Sequence, residues 1–296
     1  MKVYDESNYL ELVNGEGRGR ERVAGIEYDY VMHDGHKRYL SRMETESGRK
    51  FMASLPPFRD VFPVFSRDEV FDRVKAQEKK PGESGKLISL EEYDAMYKIK
   101  AHDQDGLPTC WANGPAASFT LIRCIMGLPL VYISACSFAV PISGGHSGGD
   151  EADAGDYCQK HGGASQLVWP NNDTDRSLNN DPKVIADRLH HMAYQLYSLT
   201  GSQAERQMQM ATAYTMDVPM PVAGAYNWWS HVIRGGRIKR GSGTSMINRQ
   251  RNNWGDAWGE KNEFDPSIGG GYVEMAEGHG TFDSGFAVGF MTASAA

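Results

Sequence analysis

The spacing of apolar residues changes character at Pro219, and that change limits the fold more than any other feature of the chain. Before it, apolar residues recur at helical intervals: Ala116, Phe119, Ile122 and Met126 share one face of "AASFTLIRCIM". "DEADAGDYCQKHGG" has the pattern of a helix closed by Gly162. "DPKVIADRLHHMAYQLYSLTG" predicts another, with Pro182 in its first turn and Gly201 past its end. "QAERQMQMATAY" predicts a third, entered through a Ser202–Glu205 capping box. "LPLVYISACSFAVPI" is an apolar run with strand-like stretches. After Pro219 the pattern turns to strands and turns, in "VPMPVAGAY", "SHVIRGGRIKRG", "TSMINRQ" and "GGGYVEM". Helices first and strands later predict an α+β protein with two lobes.

Residues 1–74 are mixed. "GIEYDYVM" is strand-like, "SLPPFRDVFPVF" is broken by proline, and Ser66 is placed to cap a short helix over "RDEVFDRV". Residues 75–86, charged and Gly/Pro-containing, predict an exposed linker. Residues 1–90 are therefore set apart as an N-terminal extension of unknown role. Residues 91–296 are assigned to one domain, mainly helical over about 91–205 and mainly β over about 206–296.

The chain of 296 residues is 40% hydrophobic and 23% charged, which is globular rather than disordered, and its net charge is -7. An acidic balance argues against a dedicated nucleic-acid binder. The basic clusters "GRGRER" (17–22) and "RGGRIKRG" (234–241) are short and predict solvated loops. "MKVYDESNYLEL" has charges where a secretory signal needs an apolar run, and no stretch predicts a membrane span. Four cysteines, at 110, 124, 136 and 158, fit free thiols in a reducing compartment.

Chemistry concentrates in two stretches. Thr109 is placed to cap a helix beginning at Cys110, and a helix N-terminus favours a thiolate. A thiolate nucleophile needs a histidine to exchange its proton, a group to orient that histidine, and donors for an oxyanion. His231 lies on a predicted strand. Asn252 opens "NNWGDAWGE", where an Asn beside a Trp can hold a His side chain and shield that bond from water.

Together these residues resemble the papain-like cysteine peptidases. Gln104 precedes Cys110 by six residues, Trp111 and Ala112 follow it, and His231 and then Asn252-Asn253-Trp254-Gly255-Asp256-Ala257-Trp258-Gly259-Glu260 come in the family's order. The resemblance covers roughly residues 104–275. It implies a helical lobe carrying Cys110, a twisted β-barrel-like lobe carrying His231 and Asn252, and an extended peptide between them. It implies hydrolysis of peptide or isopeptide bonds, with Gln104 and the Cys110 backbone N–H on the oxyanion, Trp254 over the His–Asn pair, and Gly148 and Gly149 binding substrate through their backbones. No metal or organic cofactor is implied. Leu107 and His146 stand where the family has a bonded cysteine pair, and Pro108 stands for a glycine. Pro115 falls where the central helix should already be running, so a kink or late start is expected. Residues 1–100 show no helical signature of the family's inhibitory pro-segment, so autoactivation from a zymogen is unsupported.

Weaker readings stand beside this one. "GHSGG" fits the nucleophile turn of α/β-hydrolases at Ser147, with Asp217 and His231 or His279 as partners, but Pro141 interrupts the strand that should precede it. Cys158, His161, His190 and His191 supply metal-ligand types without a second spaced pair. The methionines at 208, 210, 216 and 220 predict core filling. From a different class, the chain is a structural or binding protein on a peptidase fold, for example a virion component, with a protein partner bound through residues 1–90. Residues 1–90 packed across Cys110 would favour that second reading, and an open cleft would favour the enzyme. Both place the chain in the cytoplasm or a virion.

Overall fold

The computed structural model describes residues 2–192 and 194–290. In chain order the elements are β1 (Val3–Tyr4), α1 (Tyr9–Asn14), β2 (Gly17–Val23), β3 (Ile26–His33), β4 (His36–Leu40), α2 (Glu46–Ser54), α3 (Phe58–Val61), α4 (Arg67–Gln77) and α5 (Leu90–Tyr97). Then come α6 (Cys110–Ile125), α7 (Cys136–Ser143), α8 (Glu151–His161), α9 (Pro182–Leu189), β5 (Tyr194–Ser198) and α10 (Gln203–Thr215). The chain closes with β6 (Val222–Tyr226), β7 (His231–Arg240), β8 (Met246–Arg251), β9 (Tyr272–Ala276) and β10 (Ser284–Phe290). One sheet has the order β1-β9-β8-β7-β6-β10-β5 and does not close; β2, β3 and β4 form a second.

The strands predicted after Pro219 form, as do the Ser66 cap, the Ser202 capping box and the Gly162 stop. Several expectations are corrected. The helix predicted over 181–201 ends at Leu189, and Tyr194–Ser198 becomes β5 on the edge of the sheet beside β10. Its side chains alternate between buried and half-buried, the period of a strand. Ala193, in that stretch, lies outside the described residues. "CSFAVPIS" is the helix α7, with Pro141 so near its end that few hydrogen bonds are lost. The two basic clusters are strands rather than loops. In β2, Arg18 and Arg20 pair with Asp29, and in β7, Arg234 bonds Asp94 and Arg237 pairs with Glu91 of α5. Buried guanidinium groups are tolerated there because each meets a carboxylate.

The helix α6 lies against β7 and runs unbroken from Cys110 through Pro115. Proline at its sixth position removes only the bond to the Trp111 carbonyl, and the expected late start does not occur. Gly114 allows the close approach: a Cβ there would lie 2.8 Å from Val232 Cγ1 and 3.2 Å from the Ile233 carbonyl. The first turn of α6 is thereby held beside the start of β7, where His231 sits.

The N-terminal residues cover this junction. The β3–β4 turn carries Asp34-Gly35, both at positive φ as a tight hairpin requires. Arg38 of β4 donates to the Trp254 carbonyl (2.9 Å) and to Asp103 Oδ1 (2.5 Å). His33 of β3 packs on the Trp254 ring at 4.9 Å. Residues 41–43 then leave β4 and pass between the two lobes to α2, which packs on α8. A three-stranded sheet, not a helix, leads the chain into the cleft.

Candidate active site

His231 and Asn252 meet because β7 and β8 are antiparallel, with Asn252 directly after β8 at the end where β7 begins. His231 Nε2 lies 2.7 Å from Asn252 Oδ1. That oxygen also accepts the Asn253 backbone N–H at 2.7 Å, which fixes the amide orientation. Nε2 is therefore the donor, and the proton-free lone pair of the imidazole is at Nδ1, buried without a hydrogen-bond partner. Trp229 and Trp254 flank the ring at 4.8 and 5.0 Å. Trp254 thus packs against the imidazole whose Nε2 meets Asn252.

Cys110 begins α6 as expected, but the Thr109 side chain does not cap it; its hydroxyl accepts from Asn113 instead, at 3.1 Å. Asn253 ties the helix to the strand, donating to the carbonyls of Cys110 (3.3 Å) and Val232 (3.1 Å). Burial pushes the Cys110 thiol up, against hydrogen bonding from Ser41 and the backbone N–H groups of Val232 and Trp111. Burial also holds His231 down to about 4, partly offset by Asn252 and Asn253. In this closed form the thiol and the imidazole are both neutral at pH 7.

The burial comes from the chain itself. Ser41 Oγ is 3.2 Å from Cys110 Sγ. The Gly149 N–H donates to the Ser41 carbonyl (3.2 Å) and its carbonyl accepts from Met43 N–H (2.9 Å), while Arg42 N–H donates to the Ser230 carbonyl across the cleft (3.0 Å). Residues 41–43 are thus an extended peptide held by both lobes. The Gly148 N–H goes to the Tyr28 hydroxyl at 2.6 Å. A Cβ on Gly149 would fall 2.7 Å from the Trp111 ring, so only glycine brings this backbone down to the cleft floor. Gln104 is placed by its N–H to the Asn253 carbonyl (3.0 Å), and its amide donates to the carbonyls of Tyr39 (3.2 Å) and Leu107 (3.0 Å). A carbonyl oxygen of the covering segment thus occupies the predicted oxyanion donor. Ser41, Tyr39 and Arg42 carried no signal in the sequence, because "YLSRM" has neither periodicity nor motif.

The serine-hydrolase partners do not assemble. Ser147 Oγ donates to the Ser143 carbonyl, Asp217 pairs with Arg73, and His279 packs against Tyr9. Among the described residues no cluster could hold a metal ion and no helix is long and apolar enough to cross a membrane. All four cysteines are free and buried.

The buried histidines set an acid limit on stability. Burial holds His102 near 3 and His191 and His231 near 4, against about 6.5 when unfolded. The unfolded chain therefore binds more protons, so this contribution is full above pH 6.5 and drains as pH falls toward 4. Glu151, its carboxyl pushed up to about 7 chiefly by burial, opposes this weakly, gaining as pH falls below 7. The urea midpoint is expected to fall between pH 7.5 and pH 5; a midpoint that rises would mean Glu151 outweighs the histidines.

No family model and no curated protein matches the sequence. Solved structures do match. Procathepsin B S9 from Trypanosoma congolense superposes with a TM-score of 0.53 at 17% identity, over 85% of this chain and 86% of its own. The digestive procathepsin L2 proteinase of Tenebrio molitor larval midgut gives 0.53 at 16%, over 86% and 78%. A structure from work on the mite allergens Blo t 1 and Der p 1 gives 0.50 at 16%, over 98% and 96%. These neighbours are papain-like cysteine proteases, and the chain has their two-lobe α+β fold.

Proposed function

We propose that this chain is a cysteine peptidase, cutting peptide or isopeptide bonds, held latent by its own residues 39–43. The observation that carries the reading is the extended segment seated between Gly149 and Ser230 with Ser41 Oγ 3.2 Å from Cys110 Sγ. A cleft that grips one extended peptide over a thiol is built to grip others. In the opened site His231 Nδ1 takes the Cys110 proton and the thiolate attacks the substrate carbonyl. The Cys110 N–H and the Gln104 amide, freed of the Tyr39 carbonyl, donate to the oxyanion. Collapse expels the amine, which takes the proton from His231, and water then hydrolyses the thioester with His231 as base. Asn252 holds the imidazole throughout.

The leaving amine must lie toward His231 and Trp254, so the acyl half of a substrate lies toward Gly149. The covering segment runs from Trp254 to Gly149, the reverse sense, which supports its role as a bound but uncut peptide. The neighbouring procathepsins support the same reading, because their matched share of this chain exceeds what residues 91–296 supply and so takes in part of the extension.

The test is labelling of Cys110 by a peptidyl epoxide in a chain opened by Arg42→Ala, followed across pH by mass spectrometry. Selective labelling below pH 6, lost in His231→Ala, is the expected outcome. Labelling that tracks an ordinary thiol near 8.5, alike at all four cysteines, would rule out an activated pair.

One observation favours the second reading, a binding or structural protein on this fold: Cys110, His231 and Gln104 are fully buried beneath the extension. A covered site meets the criterion set for it, and only turnover after opening separates the two.

A further inference from the structure

Beside Gly149 the covering segment drops a side chain into a pocket that the catalytic residues do not use. Arg42 Nη1 donates to Asn227 Oδ1 (2.8 Å) and Nη2 to Ser284 Oγ (3.2 Å), and its Nε lies 3.7 Å from Glu151 Oε2. The Glu151 side chain is wholly buried and that of Arg42 is 10% exposed. Glu151 begins α8, its Oε1 accepts the Ser284 hydroxyl, and its Oε2 has no hydrogen bond. The other carboxylates nearby are committed to the backbone. Asp150 accepts from Thr45 and Ala152, and Asp283 accepts from Asn227 at 2.7 Å. Glu151 is thus a buried acid whose ion-pair partner sits on a segment that must leave before any substrate enters.

We propose that the Glu151–Ser284–Asn227 pocket is a substrate pocket for a basic side chain, so that the peptide cut is one with arginine or lysine immediately before the residue that acylates Cys110. This rests on the peptidase reading for the word "cut", and on the structure alone for the pocket. The register follows from the segment: Ser41 sits on the thiol and its neighbour Arg42 fills the pocket. In a substrate the acyl residue replaces Ser41, and the acyl half lies toward Gly149. The chemistry follows from Glu151. Removing one partner of a buried ion pair leaves an uncompensated charge, so a leucine there strands the carboxylate while a guanidinium restores its partner and the two polar contacts. An acidic side chain is excluded by repulsion.

The test separates binding from turnover. Fluorescent peptides Ala-Arg-Ala-Ala-Ala, Ala-Leu-Ala-Ala-Ala and Ala-Glu-Ala-Ala-Ala are titrated by anisotropy onto the Arg42→Ala, Cys110→Ala chain. The arginine peptide is expected to bind at least tenfold more tightly than the leucine peptide, about the discrimination of one buried polar contact, and Glu151→Gln is expected to remove most of that advantage. Equal binding, or tighter binding of leucine, overturns the pocket. The same peptides are then given to Arg42→Ala with its thiol intact. Cys110-dependent cleavage without basic preference overturns the pocket and leaves the peptidase. Basic preference in binding with no cleavage leaves the pocket and overturns the peptidase. If Arg42→Ala does not fold, Arg42→Lys and Arg42→Met in the full chain decide. Alkylation of Cys110 within threefold of the parent for Lys and tenfold faster for Met supports a cation pocket, and equal rates for the two overturn it.

Discussion

Replacing Arg42 by alanine raises the rate at which iodoacetamide modifies Cys110 by about 10²-fold or more at pH 8. In the closed form Cys110 is inaccessible, with Ser41 on its sulfur, so modification proceeds through openings of the covering segment. Arg42 ties that segment to Asn227, Ser284 and Glu151. Without it Glu151 stays buried and unpaired when closed but meets water when open, a difference of about 3–5 kcal/mol for breaking a buried pair from one side. Each 1.4 kcal/mol is tenfold in the open fraction. The effect has a pH signature. The Glu151 carboxyl is already pushed up to about 7, so at pH 6 it takes up a proton and the closed variant escapes most of the penalty. The ratio of variant to parent is therefore larger at pH 8 than at pH 6. A ratio near one at pH 8, or a larger ratio at pH 6, would remove Arg42 from the latch.

The sequence carried the positions of the candidate site residues and missed the segment that covers them, for physical reasons. Cys110, His231 and Asn252 were legible because each needs a particular element end: a helix N-terminus, a strand start, and the residue after the neighbouring strand. Those ends are signalled by the helical apolar spacing from Ala116, by the strand-like "SHVIRGGRIKRG", and by the Trp-Gly turns. Gly149 was legible as a backbone donor but its partner was not. The segment 41–43 pairs through backbone groups that every residue possesses, so its docking leaves no trace in residue type. Arg42 and Glu151, far apart in sequence, look like ordinary surface charges until the fold buries both. The strands 17–40 went unassigned as a cover because hairpin signals such as Asp34-Gly35 give local pairing and no destination. Pro115 was misjudged in the other direction: a proline rule that concerns one hydrogen bond was extended to the whole helix, whose packing against β7 holds it together.

With the cleft opened by Arg42→Ala, adding Cys110→Ala removes peptide hydrolysis by a factor on the order of 10⁶, the loss that follows deletion of a triad nucleophile. Adding His231→Ala in its place costs about 10²–10⁴, the worth of a positioned general base. The two losses differ in kind. Without the thiol no acyl intermediate forms. Without His231 the thiol still attacks wherever it ionises, so the residual rate rises with pH toward the ordinary thiol range near 8.5, while the His231-containing chain loses that dependence. Asn252→Ala costs less than His231→Ala, because the imidazole remains but its Nε2 loses the 2.7 Å acceptor and nothing then reserves the lone pair for Nδ1. Peptide affinity, read by anisotropy, stays within a few fold in all three variants, since the backbone of Gly149 and the Glu151 pocket are untouched. Initial rates on the opened chain and its variants check this. A rate that is low and equal in all of them, with peptide still bound, would mean that the thiol lies under residues 39–43 as a relic, and that the cleft holds its peptide without cutting it.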